Sequence, residues 1–132
     1  MSDPERPLPE NLHALVAEAI RYVQAEIRWK PGKAQAHPQK RIDREHLPPA
    51  TTLIEYDGII KTIVLDPEAL VYVYEFNQVH YPAVVASYQS RTWLVVFNLE
   101  GMMETVFPPD EPDTYFAEPQ YRLLGRIKEI IT

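Results

Sequence analysis

Residues 70–107 read LVYVYEFNQVHYPAVVASYQSRTWLVVFNLEGMMETVF, and this run decides the fold. It is dense in Val, Tyr, Phe and Trp, types that suit a pleated, half-buried surface. Its apolar residues recur with a period of 2 and not 3.6. Strands are expected at Leu70–Phe76, Ala83–Gln89, Thr92–Asn98 and Met102–Phe107. Gln89-Ser90-Arg91 and Leu99-Glu100-Gly101 are short enough for hairpin turns, and Asn77–Pro82 reads as a longer connection. Four consecutive strands with short links make an antiparallel meander, which Pro108-Pro109 ends.

Upstream, residues 51–65 (TTLIEYDGIIKTIVL) admit two readings. As a hairpin, Asp57-Gly58 is a type I′ turn signal between β-branched runs, and the sheet gains two strands. As a helix, Thr52-Leu53-Ile54-Glu55 is a capping box, and Leu53, Tyr56, Ile60, Ile63 and Val64 fall at helical spacing before Asp66-Pro67. Gly58 costs that helix about 1 kcal/mol relative to Ala. Strict alternation is absent, which favours the helix.

Further out, Leu12, Leu15, Val16, Ala19, Ile20, Val23 and Ile27 form one apolar stripe and predict a helix over about 11–29, stopped by Pro31-Gly32. Residues 30–50 have little apolar content and read as a long loop, with at most a helical turn around Ile42–His46. Tyr121, Leu124, Ile127 and Ile130/Ile131 predict a closing helix. Residues 1–9, with Pro4, Pro7 and Pro9, read as a flexible leader. The expected architecture is α+β: N-terminal helices on a four-stranded antiparallel meander with a C-terminal helix, one domain over 10–132.

Composition narrows the chemistry. The chain has 132 residues, 13 Lys+Arg against 19 Asp+Glu for a net charge of −6, and no cysteine. Without cysteine there is no disulfide scaffold, thiolate zinc site or Cys nucleophile. His13, His37, His46 and His80 match no zinc spacing, and no Gly-rich phosphate loop or Gly-x-Ser-x-Gly occurs, so neither metal nor cofactor is expected. No apolar run approaches a membrane span and the polar start is unlike a signal peptide, so a cytoplasmic location with no membrane partner is expected.

The net charge conceals a polarity. Between Lys30 and His46, five cations (Lys30, Lys33, Lys40, Arg41, Arg44) face two carboxylates (Asp43, Glu45), giving +3 locally and −9 elsewhere. Residues 100–118 carry six carboxylates and no Lys or Arg. A solvated surface loop explains a basic segment, but clustered cations also attract phosphate whatever the net charge. His37 and His46 lie in that segment and can exchange protons near neutral pH. Together these are the parts for metal-independent RNA cleavage: a base for the 2′-hydroxyl, cations for the developing charge and an acid for the leaving oxygen. His37, Lys40, Arg41 and His46 are therefore catalytic candidates, and Lys33, Arg44 and Arg91 are candidates for holding substrate. Alternation in the last strand puts Met103, Thr105 and Phe107 on one face, so Thr105 would line a cleft on an apolar face. Tyr72, Tyr74, Tyr81, Tyr88 and Trp93 would form either a base-stacking platform or cross-strand core pairs.

In organisation the chain resembles the barnase–EndoU–colicin–RelE-like superfamily of small ribonucleases, many of them bacterial toxins. The likeness spans about residues 35–109. It rests on Ala36-His-Pro-Gln-Lys-Arg41, an amphipathic element ending in Asp66-Pro67, the meander, and Thr105 in Glu-Thr-Val-Phe-Pro-Pro. The resemblance implies catalysis by His, Lys/Arg and hydroxyl groups on and beside the sheet. It carries over to His37, Lys40, Arg41 and Thr105, with His46 in reserve, and implies RNA as partner. A second reading is a non-catalytic module for an antitoxin-like or other basic protein, suggested by the acidic 100–118 stretch with Tyr115 and Phe116 as exposed rings. A third is a catalytically decayed member of the same fold.

Overall fold

In the computed structural model the described residues are 9–30 and 36–131, with the side chains of Ala36 and His37 outside that description. The leader over 1–9 and Lys33 therefore fall almost wholly or wholly outside the described residues. Helix α1 (Leu12–Ala25) buries Leu12, Val16, Ala19, Ile20 and Val23, the stripe expected from spacing. A two-residue strand β1 (Arg28–Trp29) follows, then helices α2 (Ala36–Asp43) and α3 (Leu53–Leu65). The meander is β2 (Leu70–Phe76), β3 (Val79–Tyr88), β4 (Arg91–Phe97) and β5 (Met102–Phe107). A helical turn α4 (Pro112–Tyr115), strand β6 (Tyr121–Arg126) and a last turn α5 (Ile127–Ile130) complete the chain.

The sheet has six strands in the order β1-β5-β4-β3-β2-β6. It is mixed, because β1 pairs parallel to β5 while every other pairing is antiparallel. One face carries Val71, Val73, Val84, Ala86, Trp93, Val95 and Phe97 into a core with α1 and α3. Burying side chains such as Phe97 and Ile20, both at 0% exposure, contributes about 1.5–3 kcal/mol each. The opposite face carries Ala83, Val85, Leu94 and Val96, covered by aromatic rings. Among the described residues no helix is long and apolar enough to cross a membrane.

The 51–65 segment is a helix. Thr52 accepts the Glu55 N–H and Glu55 accepts the Thr52 N–H, so the capping box satisfies two groups at once. The meander strands also stand where expected, with tighter turns. Asn77-Gln78 (φ +50°, +65°) and Gln89-Ser90 (φ +49°, +65°) are two-residue turns with left-handed backbone, as type I′ hairpins require. Asn77–Pro82 is thus not a long connection: β3 begins at Val79.

The sheet is six-stranded and mixed, not the four-stranded antiparallel meander expected, and four further expectations need correction. The first helix ends at Ala25, where the Glu26 N–H caps it onto Tyr22 O. Arg28–Trp29 then extend along β5, because pairing with Met102 and Met103 covers part of that edge and Trp29 stacks on Tyr56 at 5.9 Å. The basic segment contains an eight-residue helix, not a loop with one turn. Its inward residues include Pro38 and Arg41, so no apolar stripe announced it.

The expected closing helix is mainly strand β6, which satisfies the outer edge of β2. A bulge beside Val71/Tyr72 and Gly125 turns Leu124 toward the helix-side core, while Tyr121 joins the other face. Their three-residue spacing therefore imitated a helix. Finally, Phe97 pairs with Met103 and Val96 with Thr105, leaving Glu104 as an inserted residue. This bulge puts Met103 in the core with Val106, whereas Thr105 lines the opposite face beside Glu104. Met103 and Thr105 do not share a face.

Candidate functional site

The segment after β1 returns to the sheet at the far end of β5, and there Arg41 is buried, 3% exposed. Its guanidinium lies over the Phe107 ring, 5.7 Å from the centroid, and Nη1 donates to Nδ1 of His46 at 3.2 Å. The chain supports this locally, since the His46 and Leu47 N–H groups both bond Arg41 O and reverse the backbone after α2. The Arg41 Nε is buried with no hydrogen-bond partner. Among the described residues no carboxylate forms an ion pair with Arg41. An unpaired guanidinium taken out of water costs several kcal/mol and is retained only where something compensates. Burial lowers the Arg41 pKa, with nearby Arg44 acting in the same direction against Tyr56.

Arginine cannot supply an acceptor, so its bond to Nδ1 fixes the neutral His46 tautomer with the proton on Nε2. Burial lowers the His46 pKa below its ordinary value of 6.5; Arg41, Arg91 and Arg44 lower it further, and Asp110 opposes them. His46 is thus a neutral imidazole at pH 7, presenting an Nε2–H donor within the field of three arginines. Arg44 and Arg91 are exposed. Arg91 opens β4 opposite Tyr88 and is not itself a turn residue.

The remaining candidates stand elsewhere. Lys40 is exposed on α2. His37 lies in the first turn of α2, and its side chain falls outside the description. Thr105 opens into a separate pocket on the outer sheet face, among Tyr74, Tyr81, Val96, Tyr115 and Tyr121. The tyrosines flagged as one platform divide between faces: Tyr72, Tyr74 and Tyr81 lie on the outer face, while Trp93 and Tyr88 pack on the helix side. Tyr115 and Phe116 are not exposed rings but pack over the sheet, Phe116 stacking on Tyr72 at 5.2 Å and Tyr115 meeting Phe107 edge-on at 5.7 Å.

Sequence reasoning missed Phe107 as the seat of Arg41, Asp110 as an acid acting on His46, and Tyr56, which donates to Val106 O at 3.1 Å. Burial holds the Tyr56 hydroxyl protonated, well above the usual tyrosine value. It missed Glu104 too, whose Oε1 takes the Lys30 ammonium at 2.6 Å. The only signal for that pair was the charge polarity of the chain. Compared with protein-family models, curated proteins and solved structures, the chain matches none of them.

Proposed function

We propose that this protein is a metal-independent endoribonuclease whose phosphate site is built on His46, Arg44 and Arg91, with Arg41 buried behind them. The observation that carries the reading is the buried Arg41 guanidinium, which lacks an anionic partner among the described residues and lies against a neutral histidine. An incoming phosphodiester supplies the missing negative charge, accepts from His46 Nε2–H, and meets Arg44 and Arg91 at the surface.

In the reaction the RNA 2′-oxygen attacks the adjacent phosphorus and the bond to the 5′-oxygen breaks. The 2′-hydroxyl proton goes to a base and a proton is delivered from solvent water to the leaving oxygen, giving a 2′,3′-cyclic phosphate and a 5′-hydroxyl. The His46 Nδ1 is occupied by Arg41, so this reading gives the base role to His37. His46 Nε2–H binds a non-bridging oxygen. Lys40 extends the cationic surface along the RNA.

The experiment is digestion of RNA by the purified chain in EDTA, with product ends identified. We expect cyclic-phosphate ends, and rates reduced about 10²-fold or more in His46→Gln and in His37→Ala. Intact RNA with wild-type protein would sink the endonuclease reading. A second reading has one observation in its favour: with Nδ1 engaged, His46 has no free basic nitrogen. On that reading the chain binds RNA through the same cations without cleaving it. Salt-dependent binding of an uncleaved oligonucleotide, weakened in Arg44→Ala/Arg91→Ala, identifies that case.

A further inference from the structure

We propose that the aromatic pocket on the outer sheet face holds a nucleobase, its amino-bearing edge on Glu104; this rests on the reading of the neighbouring cations as a phosphate site. The pocket encloses about 310 Å³, the lower end of small-ligand sites. Tyr81 and Tyr121 flank Tyr74 at 6.1 and 4.9 Å between ring centroids, and Phe76, 55% exposed, stands at the mouth. Aromatic walls of this kind suit a planar ring, because every base offers a π-face for stacking.

The polar groups narrow the guest. The β5 bulge brings Glu104 and Thr105, neighbours in sequence, into the same pocket. Lys30 takes Oε1 of Glu104, which leaves Oε2 to accept from an exocyclic amino group. That ion pair argues against a cationic guest, since the carboxylate already has its ammonium. The carboxylate in turn disfavours an anion inside the pocket.

The two sites adjoin. Tyr115 lines this pocket and also the cleft that includes Phe107, whose ring carries Arg41. Thr105 and Phe107 lie two residues apart on one strand, about 7 Å. One nucleotide can therefore place its base beside Thr105 and its phosphate near the arginines.

NMR titration of the full chain with cytidine, adenosine, uridine and ribose 5-phosphate tests this, following the Val96 and Thr105 methyl groups. Cytidine and adenosine should shift those methyls with Kd on the order of 1 mM, and uridine, lacking the exocyclic amine, more weakly. Ribose 5-phosphate should leave them unmoved. Tyr81→Ala and Glu104→Gln should each weaken cytidine binding about tenfold. Nucleosides that leave the methyls unshifted, or that bind both variants as tightly as wild type, overturn the proposal. RNA cleavage without nucleoside binding removes the base pocket and keeps the phosphate site. Nucleoside binding without RNA cleavage keeps the pocket and removes the endonuclease reading.

Discussion

Arg41 donates to His46 Nδ1 from a buried position, so a permanent cation and a titratable ring share one hydrogen bond that only the neutral ring can accept. Protonating His46 converts the acceptor into a second donor and sets two positive charges face to face. On the proposed function, phosphate at Nε2 would offset that conflict and so link anion binding to proton uptake at His46.

This arrangement gives stability a pH dependence with a defined sign. The folded His46 pKa lies below the unfolded value of about 6.5. Below that value the unfolded chain binds more protons than the folded one. The stabilisation is complete above the unfolded pKa and declines as pH falls from there through the lower folded value. His46→Gln removes the ring and should flatten that part of the decline. Urea midpoints at pH 7.5 and about pH 5.5 measure it; a gap between the two proteins that stays constant with pH argues against the Arg41–His46 geometry.

Arg41 is held at a cost. Its buried charge is compensated by the Phe107 ring and a neutral histidine, with Nε left unbonded. Arg41→Met fills similar space without the charge, and should raise the unfolding free energy by about 1–3 kcal/mol. RNA affinity should fall in the same variant, a trade of binding for stability. A destabilised Arg41→Met would show that the guanidinium is satisfied by the fold alone.

Gly101 closes the turn between β4 and β5 with φ +85°, and a Cβ there would meet Tyr22 Cβ at 2.8 Å. Arg28 also bonds Glu100 O in this turn, so α1, β1 and the turn meet at one point. Gly101→Ala combines backbone strain with a contact against the rigid stem of a helical side chain. A loss of about 2 kcal/mol or more is expected in denaturant unfolding, and an unchanged midpoint would contradict the close approach.

The α+β class and part of the fold were legible because those elements follow simple periodicities. The α1 stripe, the Thr52–Glu55 capping box and the alternating meander each carry their own local signal. The missed elements are those whose buried residues are few or atypical. Strand β1 has two residues, α2 turns an arginine inward, and β6 is bulged. Tertiary pairing at the sheet edges, not local pattern, created β1 and β6.

The site was partly legible. The charge polarity pointed to Arg41 and His46, which the fold joins. Thr105 was anticipated in a cleft, but alternation could not show that a one-residue insertion separates it from Met103. The role of Phe107 as a cushion for a guanidinium depends on where α2 docks, which no local pattern encodes.

The bulge in β5 carries one last consequence. Phe97 opposes Met103 and Val96 opposes Thr105, so removing Glu104 leaves a ladder with every remaining partner unchanged. Excision of this residue regularises the sheet, while the outer face loses its carboxylate and Lys30 loses its tether. Position 104 is therefore dispensable to the architecture and specific to the surface.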